Sequence, residues 1–583
     1  MALHFVEKLL THLSSHPPTL PIVKYYVGPG WETVTHGQFL GLVVRAAEYW
    51  TTVLAGFPKG VVVGLWLTGQ SYTDLVHIYA CALAGYVPQV FSIKFSIPGG
   101  EVVRDLLSVF DGKAILYDEA FSPALGALLV PKLRVPDMSE LPEPKNDLQS
   151  LLKALPRVEE LDKGIIFHTS GTTQGKPKPI PAVHRWLRNQ ADPLWPSIWQ
   201  SHTGPRNPDD GTQDVFNSLG SFAHIGTATM INHDAPLGSA IVQTPPSISL
   251  STFTEETLKD LMDAGVNSVF LYAPWLSKLL RIAREDEKTL ELLKSLRQIT
   301  YTGASLNPED EKWMVNSGIR AVAMYATTEV CLTLCSPLDR PHILPAMKPL
   351  PHVGCRFIET NAMLIGGDYH TLSQLDDDAA FLHNPDLKKS QILYDLFIPA
   401  DSHNCPHPSV RNRDGGHVTG DLFEKVIVEG EEFWLYRGRN DDWIRTGPGL
   451  TFCDTKSIED NILLTCSPGL IKNCTVVGHN CLGGIVLFIE AAEEALGTEA
   501  SKRDPLNPHV LTGPAVERLK QEVLSRHTPY QSRLFAHERI RGPGRVVVVT
   551  DGSLGRTKEK GNIRRKAVED EYAALLESIY ATT

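Results

Sequence analysis

Nowhere in the chain of 583 residues do apolar positions run on for the roughly 18 that a membrane-spanning helix needs. The longest runs, such as 61–67 and 546–549, have the length of buried strands, so no membrane partner is expected. Cysteine is sparse. The nine residues scatter from Cys81 to Cys481 without a Cys-x-x-Cys pair, which fits free thiols in a reducing cytoplasm better than a disulfide framework. The densest metal-like grouping, His403-x-Cys405-x-His407, sits among Asn, Pro and Ser and reads as a loop, not a zinc site. Positive charge is in deficit, with 55 Lys and Arg against 67 Asp and Glu, a net charge of −12. A general nucleic-acid binder needs the opposite balance to displace counterions from phosphates, so nucleic acid is not an expected partner. Low-complexity tracts and repeats at solenoid periods are also missing. His4, Glu7 and Lys8 interrupt the apolar residues of 1–13, which makes an amphipathic helix and not a secretory leader. The closing Ala-Thr-Thr is no peroxisomal or retention address.

What is present is ordinary globular material, 42% hydrophobic and 21% charged, enough for several cores. Strand and helix alternate along it. The pattern predicts a strand over 61–67, a helix over 72–84 ended by Gly85, and a strand over 87–91. Thr252 and Thr254 are N-cap candidates for a helix with Glu255 and Glu256 in its first turn; Gly265 suits its C′ position, and 269–272 is again apolar. Asn307-Pro308 opens another helix, Gly318 closes it, and 319–325 reads as a strand. Such alternation demands crossover connections and therefore an α/β fold of largely parallel sheet. The polar stretch 401–416 reads as a surface loop or insertion. A sharper break at 437–442 places a domain boundary near residue 438. Beyond it lies a smaller region with strands over 473–477 and 484–489 and a helix over 567–580.

One segment is rich in phosphate chemistry. The strand at Ile165-Ile166-Phe167 leads into His168-Thr169-Ser170-Gly171-Thr172-Thr173-Gln174-Gly175-Lys176-Pro177-Lys178-Pro179. Glycines let backbone N–H groups approach an anion, and hydroxyls and ammonium groups add donors. The Walker A pattern fails, because Gly171 and Gly175 enclose only three residues and Pro177 follows the lysine. A polar surface turn is the competing reading of the segment alone.

The segment resembles the phosphate loop of the adenylate-forming (ANL) superfamily, T-S-G-[S/T]-T-G-x-P-K-[G/P], with Gln174 as one extra residue. That superfamily holds acyl-CoA synthetases, luciferases and nonribosomal-peptide adenylation domains. The flanking His168 and the Pro179-Ile180 ending look most like fungal NRPS-like adenylation domains and carboxylic acid reductases. Further motifs follow in the family's order. Phe222-Ala223-His224-Ile225-Gly226 looks like its aromatic-x-His-x-x-Gly segment with tightened spacing, and Tyr301-Thr302-Gly303-Ala304-Ser305-Leu306 resembles its G-G-A-P-L turn. Tyr325-Ala326-Thr327-Thr328-Glu329 matches Y-G-x-T-E with Ala326 for glycine, Thr419-Gly420-Asp421 matches T-G-D, and Arg437-Gly438-Arg439-Asn440-Asp441-Asp442 resembles the G-R-x-D-D hinge. Where the family usually carries a downstream arginine, Gly449 stands. Between Arg556 and Lys566, six of eleven residues are basic, and Lys560 precedes Gly561 as in the K-G-[T/N]-V ending of fungal NRPS-like proteins.

The resemblance implies a large N-terminal adenylation core over 1–437, a hinge over 438–442 swivelling at Asp441, and a small mobile α+β lid over 443–583. It implies that Thr169, Ser170, Gly171, Thr172, Thr173, Gly175 and Lys178 hold ATP phosphates. Gly303, Ala304, Ser305, Tyr325, Ala326 and Thr327 would border the adenine, with the Tyr325 ring stacked on it. Thr328 would meet the α-phosphate, Glu329 and Thr172 would hold Mg²⁺, and Asp421 and Arg439 would take the ribose. Phe222, His224, Thr302 and Gly303 would line the acyl pocket, and Lys560, with Lys558 as fallback, would bridge carboxylate and α-phosphate. The expected activity is ATP- and Mg²⁺-dependent conversion of a carboxylic acid to acyl-AMP with release of pyrophosphate. Amino-acid-activating relatives usually carry an aspartate where Ala223-His224 stands, so an aryl or other amine-free acid is expected. The chain contains no G-x-[D/H]-S-[L/I] phosphopantetheine site, which leaves CoA, an amine or a carrier protein in trans as acceptor; CoA or an amine ranks ahead. The rival from another class is a non-catalytic nucleotide-binding protein on the same fold.

Overall fold

The computed structural model describes residues 3–28, 30–95, 100–169, 177–191, 213–245, 253–303, 306, 308–351, 353–360, 393–439, 444–446, 451–453, 455–467, 469–478, 484–497, 502–505, 507–531, 539–556 and 563–581. Two large sheets organise about the first three fifths of the chain. One has six strands in the order Lys132–Arg134, Ala114–Tyr117, Val62–Trp66, Val87–Val90, Lys163–His168, Pro179–Val183. All its neighbours run parallel except the last pair. The other has nine strands in the order Lys348–Pro349, Cys331–Cys335, Ala321–Thr327, Gln298–Thr302, Ser268–Tyr272, Val215–Ser218, Ala240–Gln243, Pro21–Val27, Gly30–Thr35. Its middle pairings are parallel and its margins antiparallel. Parallel sheet is therefore the rule in the interior only. Parallel strands are covered on both faces by their crossover helices, which is why Val62–Trp66 is buried at every position.

Local signals set the elements. Ser71 caps the helix Tyr72–Leu83 through a capping box with Asp74, and Gly85 follows at φ +85°. Thr254, not Thr252 (which lies outside the described residues), caps Glu255–Asp263. The first helix, Phe5–Ser15, is amphipathic as expected and buries Phe5, Val6, Leu9, Leu10 and Leu13. An antiparallel sheet follows, ordered Arg356–Glu359, Leu393–Pro399, Gly416–Val428, Glu431–Arg439. From Cys453 onward the chain builds separate apolar clusters around the strands Ile471–Val477, Val486–Ala491 and Val546–Val549.

Two expectations need correction. The 401–416 stretch is not simply a surface loop: Ser402, Asn404 and Cys405 are buried, because Asn404 finds four amide partners inside the protein. The helix expected over 567–580 is two helices, Arg565–Glu571 and Ala573–Ala581, parted at the buried Tyr572.

Candidate active site

In a parallel sheet the C-terminal strand ends share one edge, and loops beyond them bind ligands. Ser268–Tyr272, Gln298–Thr302 and Ala321–Thr327 end together here. Between their ends and the short helices Ile225–Ala228 and Met230–Asp234 lies a cavity of about 120 Å³. His224, Gly226, Thr302, Gly303, Ala326, Thr327 and Thr328 all border it, so three motifs separated by up to about a hundred residues meet at one void. Phe222 does not line it; that ring is 2% exposed in the core, and its N–H donates to the Gly69 carbonyl at 2.8 Å.

Each wall is held. His224 caps the Ile225–Ala228 helix, its Nδ1 accepting the Gly226 N–H at 3.2 Å, and its ring stands edge-on to Tyr272 at 6.4 Å. The Thr302 hydroxyl donates to the Met324 carbonyl at 2.8 Å, tying two strand ends together. Gly303 turns the chain at φ +87°, a conformation that favours glycine, and a Cβ there would stand 3.1 Å from Cδ1 of Tyr272, so that ring would have to give. His233 is pushed down to about 3 by burial and is neutral at the cavity wall.

Beside this void Tyr325, Asp421 and Tyr436 form a phenol–carboxylate cluster. Tyr325 donates to Asp421 Oδ2 at 2.6 Å and Tyr436 to Oδ1 at 3.3 Å. Burial pushes the Asp421 carboxyl up to about 6, and Arg439, its cross-strand neighbour, opposes that rise. The Tyr325 phenol is driven well above its ordinary range by burial and the adjoining Asp421 charge. Half-buried Glu329 acts electrostatically on Asp421 and on His417, so all three face one region. The Thr169 N–H donates to the Lys178 carbonyl at 2.9 Å and the Lys178 N–H to Thr169 Oγ1 at 3.0 Å.

The profile of AMP-binding enzymes matches residues 11–372. The AMP-binding domain-containing enzyme iboA of Amanita muscaria is 31% identical over 549 residues, covering 92% of this chain and 95% of its own. The chain belongs to the AMP-binding enzyme family. It is an AMP-forming ligase that activates a carboxylic acid, and the non-catalytic alternative is set aside. Solved structures share the fold. ATP-bound MatB from Rhodopseudomonas palustris is 17% identical with TM-score 0.67, spanning 98% of this chain and 99% of that one. The o-succinylbenzoate CoA synthetase MenE from Bacillus subtilis, with its acyl-adenylate intermediate, is 16% identical with TM-score 0.67 over 96% and 98%. The anthranilate CoA ligase AuaEII with anthranoyl-AMP is 14% identical with TM-score 0.67 over 99% of each chain.

The AMP-binding enzyme's remaining motif residues, Ser170, Gly171, Thr172, Thr173, Gly175, Ala304, Ser305, Asp441 and Lys560, lie outside the described residues, as do Gln174, Gly449 and Lys558. Among the described residues no cluster of three or more His, Cys, Asp or Glu could hold a metal. Glu329, half-buried near Asp421 and His417, offers the kind of hard carboxylate oxygen that could hold Mg²⁺ beside a substrate phosphate. Sequence reasoning missed the deeper cavity wall: Phe216, Met230, His233, Phe270, Thr300 and Met324. Thr300 was within reach, since it lies two residues before Thr302 and alternate strand residues share a face. Its Oγ1 is buried without a hydrogen-bond partner among the described residues, and Thr300 is 2% exposed.

Proposed function

We propose that this AMP-binding enzyme adenylates a small aryl or other amine-free carboxylic acid and passes the acyl group to CoA or an amine. The observation that carries this is the cavity itself. It abuts Thr328 and the strand ends, and among its described walls stands no carboxylate to pair an ammonium and no lysine or arginine to pair a second acid group. An acid's carboxylate at the Thr328 end would attack the α-phosphorus of ATP. A carboxylate O–P bond forms, the bond from that phosphorus to the bridging oxygen breaks, and pyrophosphate leaves. Thr328 donates to the α-phosphate, Asp421 accepts from the ribose, and the Tyr325 ring flanks the adenine. Mg²⁺ held at Glu329 would neutralise phosphate charge. Lys560 would supply a cation to the carboxylate and α-phosphate where negative charge builds.

The division into a core over 1–437, a hinge over 438–442 and a lid over 443–583 belongs to the same proposal. It is supported by apolar clusters that contain only residues from Cys453 onward. The solved relatives named for CoA ligation favour CoA as acceptor. Hydroxylamine trapping with pyrophosphate release, run across aryl, fatty and amino acids and repeated with CoA and with amines, tests the reading. Turnover confined to amino acids would overturn the substrate class, and turnover unchanged by CoA or amines would overturn the acceptor.

A further inference from the structure

We propose that Asn404 is a positioning residue for the turn that presents Thr328 and Glu329. The inference rests on Glu329 as the magnesium carboxylate and goes beyond it. Asn404 is fully enclosed, 0% exposed, and divides its amide among distant parts of the chain. Its Nδ2 donates to the carbonyls of Val330 and Leu332, each at 2.9 Å. Its Oδ1 accepts from Asn189 Nδ2 at 3.0 Å and Gln190 Nε2 at 3.2 Å. The reversed amide would set oxygen against two carbonyl oxygens, so the partners dictate the orientation.

The two carbonyls it grips flank Cys331, whose φ is +51°. Among the described residues only Asp111 and Glu429 share that sign without being glycine. A side chain with a Cβ is strained there, and such strain lasts only where the surroundings over-determine it. The register also slips at this point: Tyr325 faces Leu334 but Ala326 faces Leu332. The hairpin thus bends where the motif residues leave the strand. Local hydroxyls contribute, Thr327 Oγ1 accepting the Val330 N–H at 3.2 Å and Thr333 Oγ1 donating to the Cys331 carbonyl at 3.2 Å. Asn404 supplies the tertiary half of the hold, anchoring the turn to the end of the His184–Asn189 helix. A carboxylate one residue before that anchor keeps its place only while the anchor does.

The test is the Mg²⁺ dependence of pyrophosphate release at saturating ATP and acid, with Asn404→Leu, Asn189→Leu and a Glu329→Gln control. Supporting groups behind metal ligands are worth about 10- to 100-fold in metal affinity. Asn404→Leu is expected to raise the half-saturating Mg²⁺ concentration about tenfold and lower kcat, with KM for the acid unchanged. Asn189→Leu, which leaves Asn404 in place but loosens it, shifts the same curve less and serves if Asn404→Leu fails to fold. A purely structural role would lower the melting temperature and leave the Mg²⁺ curve where it was. An unmoved curve in a folded Asn404 or Asn189 variant, with Glu329→Gln shifted, overturns the positioning role. An unmoved curve in Glu329→Gln overturns the reading of Glu329 beneath it.

Discussion

The phenol of Tyr325 donates to Oδ2 of Asp421 at 2.6 Å, joining residues 96 positions apart. The ring proposed for adenine and the carboxylate proposed for ribose are thus bound to each other. A second phenol, Tyr436, holds the other carboxylate oxygen. Ribose hydroxyls must compete with these phenols or use the remaining lone pairs, and only the ionised carboxylate has enough of them.

The carboxyl of Asp421 sits at about 6, above its ordinary 3.8, because it is buried. As pH falls through about 6 it becomes protonated and loses acceptor capacity. kcat/KM for ATP is expected to drop on that acid limb. Tyr325→Phe removes a donor that favours the charged form, so the limb should move to higher pH. A pH profile of the variant that overlays the wild type would exclude this link.

Thr300 carries a buried hydroxyl that has no partner among the described residues, at a wall of the cavity. Leaving such a group unsatisfied costs about 1–3 kcal/mol. Thr300→Val should therefore raise the melting temperature. It should also lower kcat/KM about tenfold for acids with a hydroxyl or ring heteroatom that reaches Oγ1, and spare acids without one. Calorimetry and trapping on matched acid pairs check both halves. Equal losses for both members of each pair would sink the specificity role.

Lys560 is the proposed cation of the adenylation step. Lys560→Ala is expected to cost about 10²–10³ in the rate of pyrophosphate release, as for loss of one preorganised donor. Thermal unfolding measured alongside should be unchanged. Undiminished adenylation in that variant, with loss in Lys558→Ala, would move the assignment two residues.

Burial holds His4 at about 3 and His184 at about 4, both below the ordinary 6.5, and their rings lie 4.3 Å apart at the N-terminus of the first helix. The sign follows from which state takes the proton. Above pH 6.5 neither folded nor unfolded chain protonates them, and their contribution is intact. Between about 6.5 and 4 the unfolded chain binds protons that the folded one refuses, so stability falls with pH. Each pH unit costs up to about 1.4 kcal/mol per histidine. Melting temperatures from pH 7.5 to 4.5 should decline, and less steeply in His184→Gln. An unaltered slope in that variant would place the acid sensitivity elsewhere.

Much of the architecture was open to reading from composition and punctuation alone. Thr254, Gly85 and Gly265 mark helix ends because capping and positive φ are decided within a few residues. The largely apolar stretch 319–325 announced a strand, which the fold places at Ala321–Thr327, and the short polar motifs follow one another in the family's order. Those features depend on neighbours in the chain. The depth of the cavity at the strand ends, the pairing of Tyr325 with Asp421 and the burial of Asn404 depend on contacts between residues tens to hundreds of positions apart. The 401–416 stretch reads as loop from its polarity, yet Asn404 is buried because Val330, Leu332, Asn189 and Gln190 happen to present complementary groups around it. Polarity predicts exposure only until a fold supplies partners, and the supply of partners is what tertiary structure alone decided.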